Sequence, residues 1–291
     1  LIDHIPGISD GWVWVLSIMG LTITIRTLLI PLFVKQIKSS RNMQLLQPQI
    51  RELQKKYGHD RERLTQEQMK LWKETGTNPF ASCLPILAQM PVFLALFRVI
   101  DQAAKAPQDD LGKGVRGFLN VDYVRSLQDA TIFNAKIADT FNNTDLLEVK
   151  ILAAVLVVIM CLTQFTTQRQ LMSKNMPPDA MSGPYAQQQK TLLYVLPFVF
   201  AISGVLFPVG VLFYWVTTNL WTMGQQFYVI RNNPAPGTPA FKAKQERDRK
   251  HGKNVVEDPL KELEEPHEKP QQRQQPKKQT RNQRKKKGGQ R

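Results

Sequence analysis

An arginine inside an apolar run is the strongest chemical signal in this chain of 291 residues. From Leu16 to Val34 the run carries a single full charge, Arg26, and it is long enough to cross a bilayer. With the helix begun at Trp12, Arg26 lies about 21 Å from that end and about 12 Å from Val34, at about 1.5 Å per residue. A charge at such depth costs roughly 2.5–3.5 kcal/mol on insertion scales. Two readings answer that cost. The long side chain can snorkel to the nearer headgroups, or it can face a water-filled space between helices that something acidic visits. Thr22 lies one turn earlier on the same face. Pro31, just over a turn later, frees a backbone carbonyl and permits a kink. The helix therefore bears a polar stripe.

Other polar side chains fall inside apolar segments in the same way. Gln89 sits mid-way along a second apolar stretch and needs a partner there. Thr163, Gln164, Thr166, Thr167 and Gln168 crowd the end of a third, as a shared aqueous cavity would require. The last apolar stretch holds Trp215, Thr217, Thr218, Asn219, Trp221, Gln225 and Gln226. Trp215, seven residues into it, is read as facing a groove, whereas Trp221 and Tyr228 are read as interface anchors. Cys83 and Cys161 lie in apolar runs without a neighbour at metal-ligand spacing and read as small core residues. The four histidines form no cluster with acids. No metal, cofactor, nucleotide motif or covalent chemistry is expected, so the chain does not read as an enzyme.

The mean hydropathy of −0.29 and the net charge of +15 would suggest a basic soluble protein, but the average mixes apolar segments with a charged end. Taken in order, the chain divides as follows. A flank covers 1–11, a first span 12–34, a helical hairpin 35–80, a second span 81–100, and a loop 101–149. A third span covers 150–168, a short Pro/Gly-broken loop 169–190, a fourth span 191–207 and a fifth 208–230, before a basic tail 231–291. Lys35, Lys38 and Arg41 follow the first span, which places its start outside and its end in the cytoplasm. In the hairpin, Met43, Leu46, Ile50, Leu53 and Tyr57 make a narrow apolar seam. Gly58 ends its first helix, Asp60 caps the next and Gly76 ends that one. The 101–149 segment is mixed and slightly acidic, consistent with an external loop. The tail has 18 Lys and Arg against 8 Asp and Glu and is expected to be disordered. It reads as a topology anchor or as a hook for a polyanion, ribosomal RNA or anionic lipid. The fold class is all-α, a polytopic membrane protein with a five-helix core, a cytoplasmic hairpin and a disordered basic tail.

Several of these segments also resemble a known family. IRTLLIPL, LQPQIRELQKKYG, NPFASCLPILAQMPVFLALF and FPVGVLFYWVTTNLWTMGQQ together resemble the YidC/Oxa family of membrane protein insertases, over about residues 10–100 and 150–230. The resemblance implies a hydrophilic groove open to cytoplasm and lipid and closed outwards, in a bacterial plasma membrane. It also implies that Arg26 is the groove arginine and that Thr22 and Trp215 line the groove and meet substrate. Arg26, Thr22, Gln89, Gln164, Trp215 and Thr218 are thus the substrate-binding candidates. Expected partners are nascent membrane proteins, the ribosome through the basic tail, anionic lipids and the general secretion channel. An anion transporter with Arg26 as counter-charge is the competing reading. It predicts inverted repeats or a polar path across the whole membrane, and the sequence has polar residues at inner ends only. A scaffold for membrane protein assembly shares most of the insertase features.

Overall fold

The computed structural model describes residues 9–78, 84–117, 119–175 and 184–258. Outside these residues lie most of the 1–11 flank, Pro79 and Cys83, the centre of the 169–190 loop, and the tail from 259 with its densest basic cluster. Helix α1 (Asp10–Leu28) breaks for one residue at Leu29 and resumes as α2 (Ile30–Leu45). Pro31 is the cause, since it has no N–H for the carbonyl four residues back. The ladder recovers with Phe33, whose N–H donates to the Leu29 carbonyl at 3.1 Å. The expected kink in the first span is present.

Helices α3 (Gln47–Tyr57) and α4 (Arg61–Glu74) pack on each other as a hairpin. Asp60 caps α4 as its sequence position suggests, its carboxylate accepting from the Arg63 N–H at 3.0 Å. Gly76 adopts a left-handed φ of 63°, which lets Thr77 N–H reach back to the Trp72 carbonyl at 3.0 Å and close the helix. Of the proposed seam, Leu46 and Ile50 are buried.

Helices α5 (Leu84–Lys105), α7 (Leu147–Asn175), α8 (Pro184–Leu206) and α9 (Val209–Asn232) complete a bundle with α1. Among the described residues, α1, a 19-residue stretch of α5 and α7 are long and apolar enough to cross a membrane. Helix α9 is not in that group, because its threonines, asparagine and glutamines dilute its hydropathy. Gly204 on α8 lies so close to α7 that a Cβ there would come within 2.0 Å of Val157 Cγ2.

The 101–149 segment, expected to be a loop, is a folded cap. It holds one 3₁₀ turn (Leu111–Gly114), α6 (Val121–Asp129) and a hairpin of β1 (Thr131–Ile132) with β2 (Ala135–Lys136). Val124, Leu127, Ile132 and Ile137 are buried with Val15 of α1 and Ala103 of α5, each large side chain contributing roughly 1.5–3 kcal/mol. Gln128 is buried yet satisfied: its amide donates to the Ala103 and Ala106 carbonyls at 2.8 and 2.9 Å and accepts from Gln108 at 2.7 Å. The cap is tied to α9, whose Val209 and Gly210 N–H groups donate to the carbonyls of Asp139 and Ile137. Burial pushes the Asp139 carboxyl above its ordinary range, with Lys136 partly offsetting it. In the β-turn both Phe133 (φ 50°) and Asn134 (φ 63°) are left-handed. Asparagine tolerates this, but for phenylalanine it costs about 1–2 kcal/mol.

The tail expectation needs correction over its first part. Residues 239–250 form helix α10 (Pro239–Lys250), with Ala240 and Phe241 buried against the bundle. Thr238 caps it, accepting from the Phe241 N–H at 3.2 Å. Lys244 and Arg247 donate to the Asn232 and Arg231 carbonyls at the end of α9, at 2.8 and 2.6 Å. A segment too polar to fold alone folds here because α9 supplies both the apolar contact and carbonyls for its cations.

Candidate functional site: a polar cleft in one half of the bundle

Helices α1, α7 and α9 all begin at the cap, so their second halves lie together at the far end. The apolar clusters occupy the cap half: Ile18, Ile100, Val211 and Tyr214 in one, Val149, Ala153, Leu156, Val209 and Leu212 in another. Of the buried polar residues, Thr22, Arg26 and Thr167 lie in the second halves of α1 and α7, while Thr217 and Asn219 lie just before the midpoint of α9. The cap end of the bundle is packed with hydrocarbon, and the buried polar side chains begin towards its middle.

Arg26 is buried at 7 % exposure. Its guanidinium carbon stands 5.4 Å from the centroid of the Phe33 ring, two turns on, and a cation over an aromatic face is attracted to it. Among the described residues no carboxylate pairs with Arg26, and its buried Nε has no hydrogen-bond partner. Gln89 of α5 donates from its amide nitrogen to the Tyr214 oxygen, leaving its buried Oε1 unpaired. Thr218 follows Tyr214 by one turn, on the same face, and its buried hydroxyl is also unpaired. Gln89 is thus bound to Tyr214, a residue the sequence reading missed.

The other candidates take different places. Thr22 is buried on the Arg26 face, but its hydroxyl is spent on the Ile18 carbonyl at 2.7 Å. Gln164 is half-buried on α7 and takes no part in the Gln89–Tyr214 pair. Trp215, about 100° round α9 from Tyr214, belongs to an aromatic cluster. It stacks on Phe93 at 5.2 Å and meets Phe207 and Phe200 edge-on at 5.0 and 6.2 Å. Trp221 and Tyr228, read as interface anchors, line a cavity of about 690 Å³ between α2 and α9. Ile30, Val34, Leu220 and Val229 make its wall apolar, and Trp221 keeps its buried indole N–H unpaired. Buried polar atoms without partners are few in folded proteins, and among the described residues those on Arg26, Gln89, Thr218, Asn219 and Trp221 fall on α1, α5 and α9.

Such a bundle defines a helical membrane protein that carries buried polar side chains between its apolar helices. The chain belongs to the 60 kDa inner membrane protein family, whose model (60Kd inner membrane protein) matches residues 7–236, and the YidC/Oxa resemblance holds. It is 49% identical over 254 residues to the membrane protein insertase YidC of Streptomyces avermitilis, covering 84% of this chain and 58% of that protein. It is 37% identical over 256 residues to the protein of the same name from Tropheryma whipplei strain Twist, covering 83% and 81%. A crystal structure described as an active YidC insertase with its first transmembrane domain resolved is 28% identical, with a TM-score of 0.47, over 75% of this chain and 41% of that one. The chain thus spans little more than half the length of its Streptomyces relative.

Proposed function

We propose that this protein is a membrane protein insertase that needs no covalent chemistry. The observation that carries the reading is Arg26, buried and without a carboxylate partner among the described residues, together with unpaired buried polar atoms on Gln89 and Thr218. The names of its relatives, membrane protein insertase YidC, support it. In this reading α1, α5, α7, α8 and α9 all cross the membrane. The cap faces outside, and the α3–α4 hairpin and the tail face the cytoplasm. A nascent chain brings an acidic or polar leading segment to Arg26 while its apolar helix slides into lipid beside α7 and α9. The polar half of the cleft shortens the hydrocarbon the leading segment must cross. The gain is large, because each polar group stranded in hydrocarbon costs several kcal/mol. The basic tail engages ribosomal RNA or anionic lipid, and the general secretion channel is a further partner.

The transporter reading loses ground because apolar clusters fill the cap half of the bundle, where a pore would need polar groups. Reconstitution of the protein alone in liposomes separates the readings. An insertase protects the leading segment of a single-span substrate from external protease. A transporter instead dissipates an anion gradient, and a scaffold does neither.

A further inference from the structure

We infer that the tip of the cap hairpin, Phe133, is a lipid anchor that seats the cap in the headgroup layer of the bilayer face where α1 begins. Phe133 is the most exposed large apolar side chain among the described residues, at 75 %, yet it lies on no membrane-spanning helix. It also occupies a left-handed turn position, φ 50°, where glycine, asparagine or aspartate would be unstrained. Among the described residues nothing repays either cost, and its one ring contact is with Trp12, edge-on at 5.9 Å.

That contact fixes its level. Trp12 stands in the first turn of α1 and is itself exposed, the position at which an amphipathic ring meets the bilayer surface. The cap cannot rise away from it. Gly11 lets β1 approach so closely that a Cβ there would come within 2.0 Å of the Thr131 carbonyl oxygen. Trp14 binds Ser126 of α6 through its indole N–H at 3.1 Å and meets Tyr123 edge-on. The hairpin and α6 therefore lie beside the first turn of α1. An exposed phenylalanine there, next to an exposed tryptophan, fits the boundary between headgroups and acyl chains. The partner is the lipid itself.

This inference rests on α1 spanning the bilayer, so the test carries its own control. The full chain, with Cys83→Ala and Cys161→Ala, receives Phe133→Cys or, separately, Leu21→Cys or Lys136→Cys. Each variant is labelled with an environment-sensitive fluorophore and reconstituted in phosphatidylcholine–phosphatidylglycerol vesicles. Nitroxides are placed either high on the acyl chain or near its methyl end. The label at 133 should shift to the blue on reconstitution and lose most emission to the shallow nitroxide, while the label at 136 is quenched less. If 21 is quenched by the deep nitroxide but 133 behaves like a water-exposed site, the anchor is wrong and the span stands. If 21 also escapes both nitroxides, the span fails and takes the anchor with it. Trimming Phe133→Ala in the chain that carries Cys83→Ala, Cys161→Ala and Lys136→Cys should raise the accessibility of the label at 136 to aqueous iodide. An unchanged accessibility counts against the anchor.

Discussion

Thr218 is informative because the threonines around it behave differently. Thr22, Thr163, Thr167, Thr217 and Thr222 each donate to the carbonyl four residues back, at 2.7–2.8 Å, the usual way a hydroxyl is silenced inside a helix. Thr218 leaves its buried oxygen unpaired. Thr218→Val should therefore leave the thermal midpoint unchanged or raise it, by up to about 1 kcal/mol of stability. It should also slow insertion of a substrate with a polar leading segment. Thr217→Val should lose about 0.5–1.5 kcal/mol and insert normally. Equal insertion by the two variants would remove Thr218 from the site. Arg26 acts by charge in this reading. Arg26→Lys should retain much of the protease-protected product, and Arg26→Glu should lose it for acidic leading segments. Wild-type yields from Arg26→Glu on such substrates would end the electrostatic account. Arg26 was legible in the sequence because one charge in an apolar run has few uses. Tyr214 was not, since its bond to Gln89 joins residues 125 positions apart and leaves no local pattern. Trp215 reads from its depth in the span as facing a groove, and its aromatic neighbours on α5 and α8, distant in sequence, were not legible.

At the scale of elements, local signals worked where the chemistry was local. The Asp60 cap, the Gly76 stop and the Pro31 break were all readable, because each depends on residues within one turn. The cap and α10 were not, because each is stabilised by contacts from distant segments. Helix α10 has a strongly polar composition, and its apolar contact rests largely on Phe241, 6 % exposed. Its N-terminal Thr238-Pro239 was the available signal. Phe241→Ala should cost about 3–5 kcal/mol of the local docking energy, more than a single docked helix can spare. Hydrogen exchange should then accelerate through 233–250 and at the end of α9, where Lys244 and Arg247 no longer hold the carbonyls. Exchange in α1 should stay as it was. Unchanged protection of α10 would mean that the cation–carbonyl bonds, and not Phe241, hold the helix. Gly11→Ala probes the cap in the same way. Its Cβ cannot fit against the Thr131 carbonyl, so β1 must move, and the indole bond of Trp14 to Ser126 should be lost with it.

Charge is the property that only the whole molecule reveals. Residues 231–291 hold 18 Lys and Arg against 8 Asp and Glu, a net +10 from those counts within a total of +15. Most of the imbalance therefore lies in the tail. This arrangement suits a protein that must gather a phosphate-rich partner before its substrate arrives. Single cysteines at Lys56 and at Asp129, both exposed, should react with impermeant reagents from opposite faces of the membrane. Labelling from one face would undo the proposed topology. With the tail placed in the cytoplasm, counterion release predicts binding to ribosomal RNA that weakens steeply with salt, by a slope that grows with the number of cations engaged. Helix α10 limits which cations can act by reach alone. Lys244 and Arg247 are already bound to α9 carbonyls, so the charge offered to a polyanion has to come from other cations of the tail, including the Arg284–Lys287 cluster. Deleting residues 273–291 should lower ribosome co-sedimentation with proteoliposomes at moderate salt and flatten its salt dependence. Insertion of a substrate supplied after synthesis should survive, because the cleft is untouched. Protein-free liposomes of matched charge account for ribosomes held by lipid. A truncated protein that holds ribosomes as well as the intact chain, with the same salt slope, would reduce the tail to a topology anchor and move ribosome recruitment to the basic face of the α3–α4 hairpin.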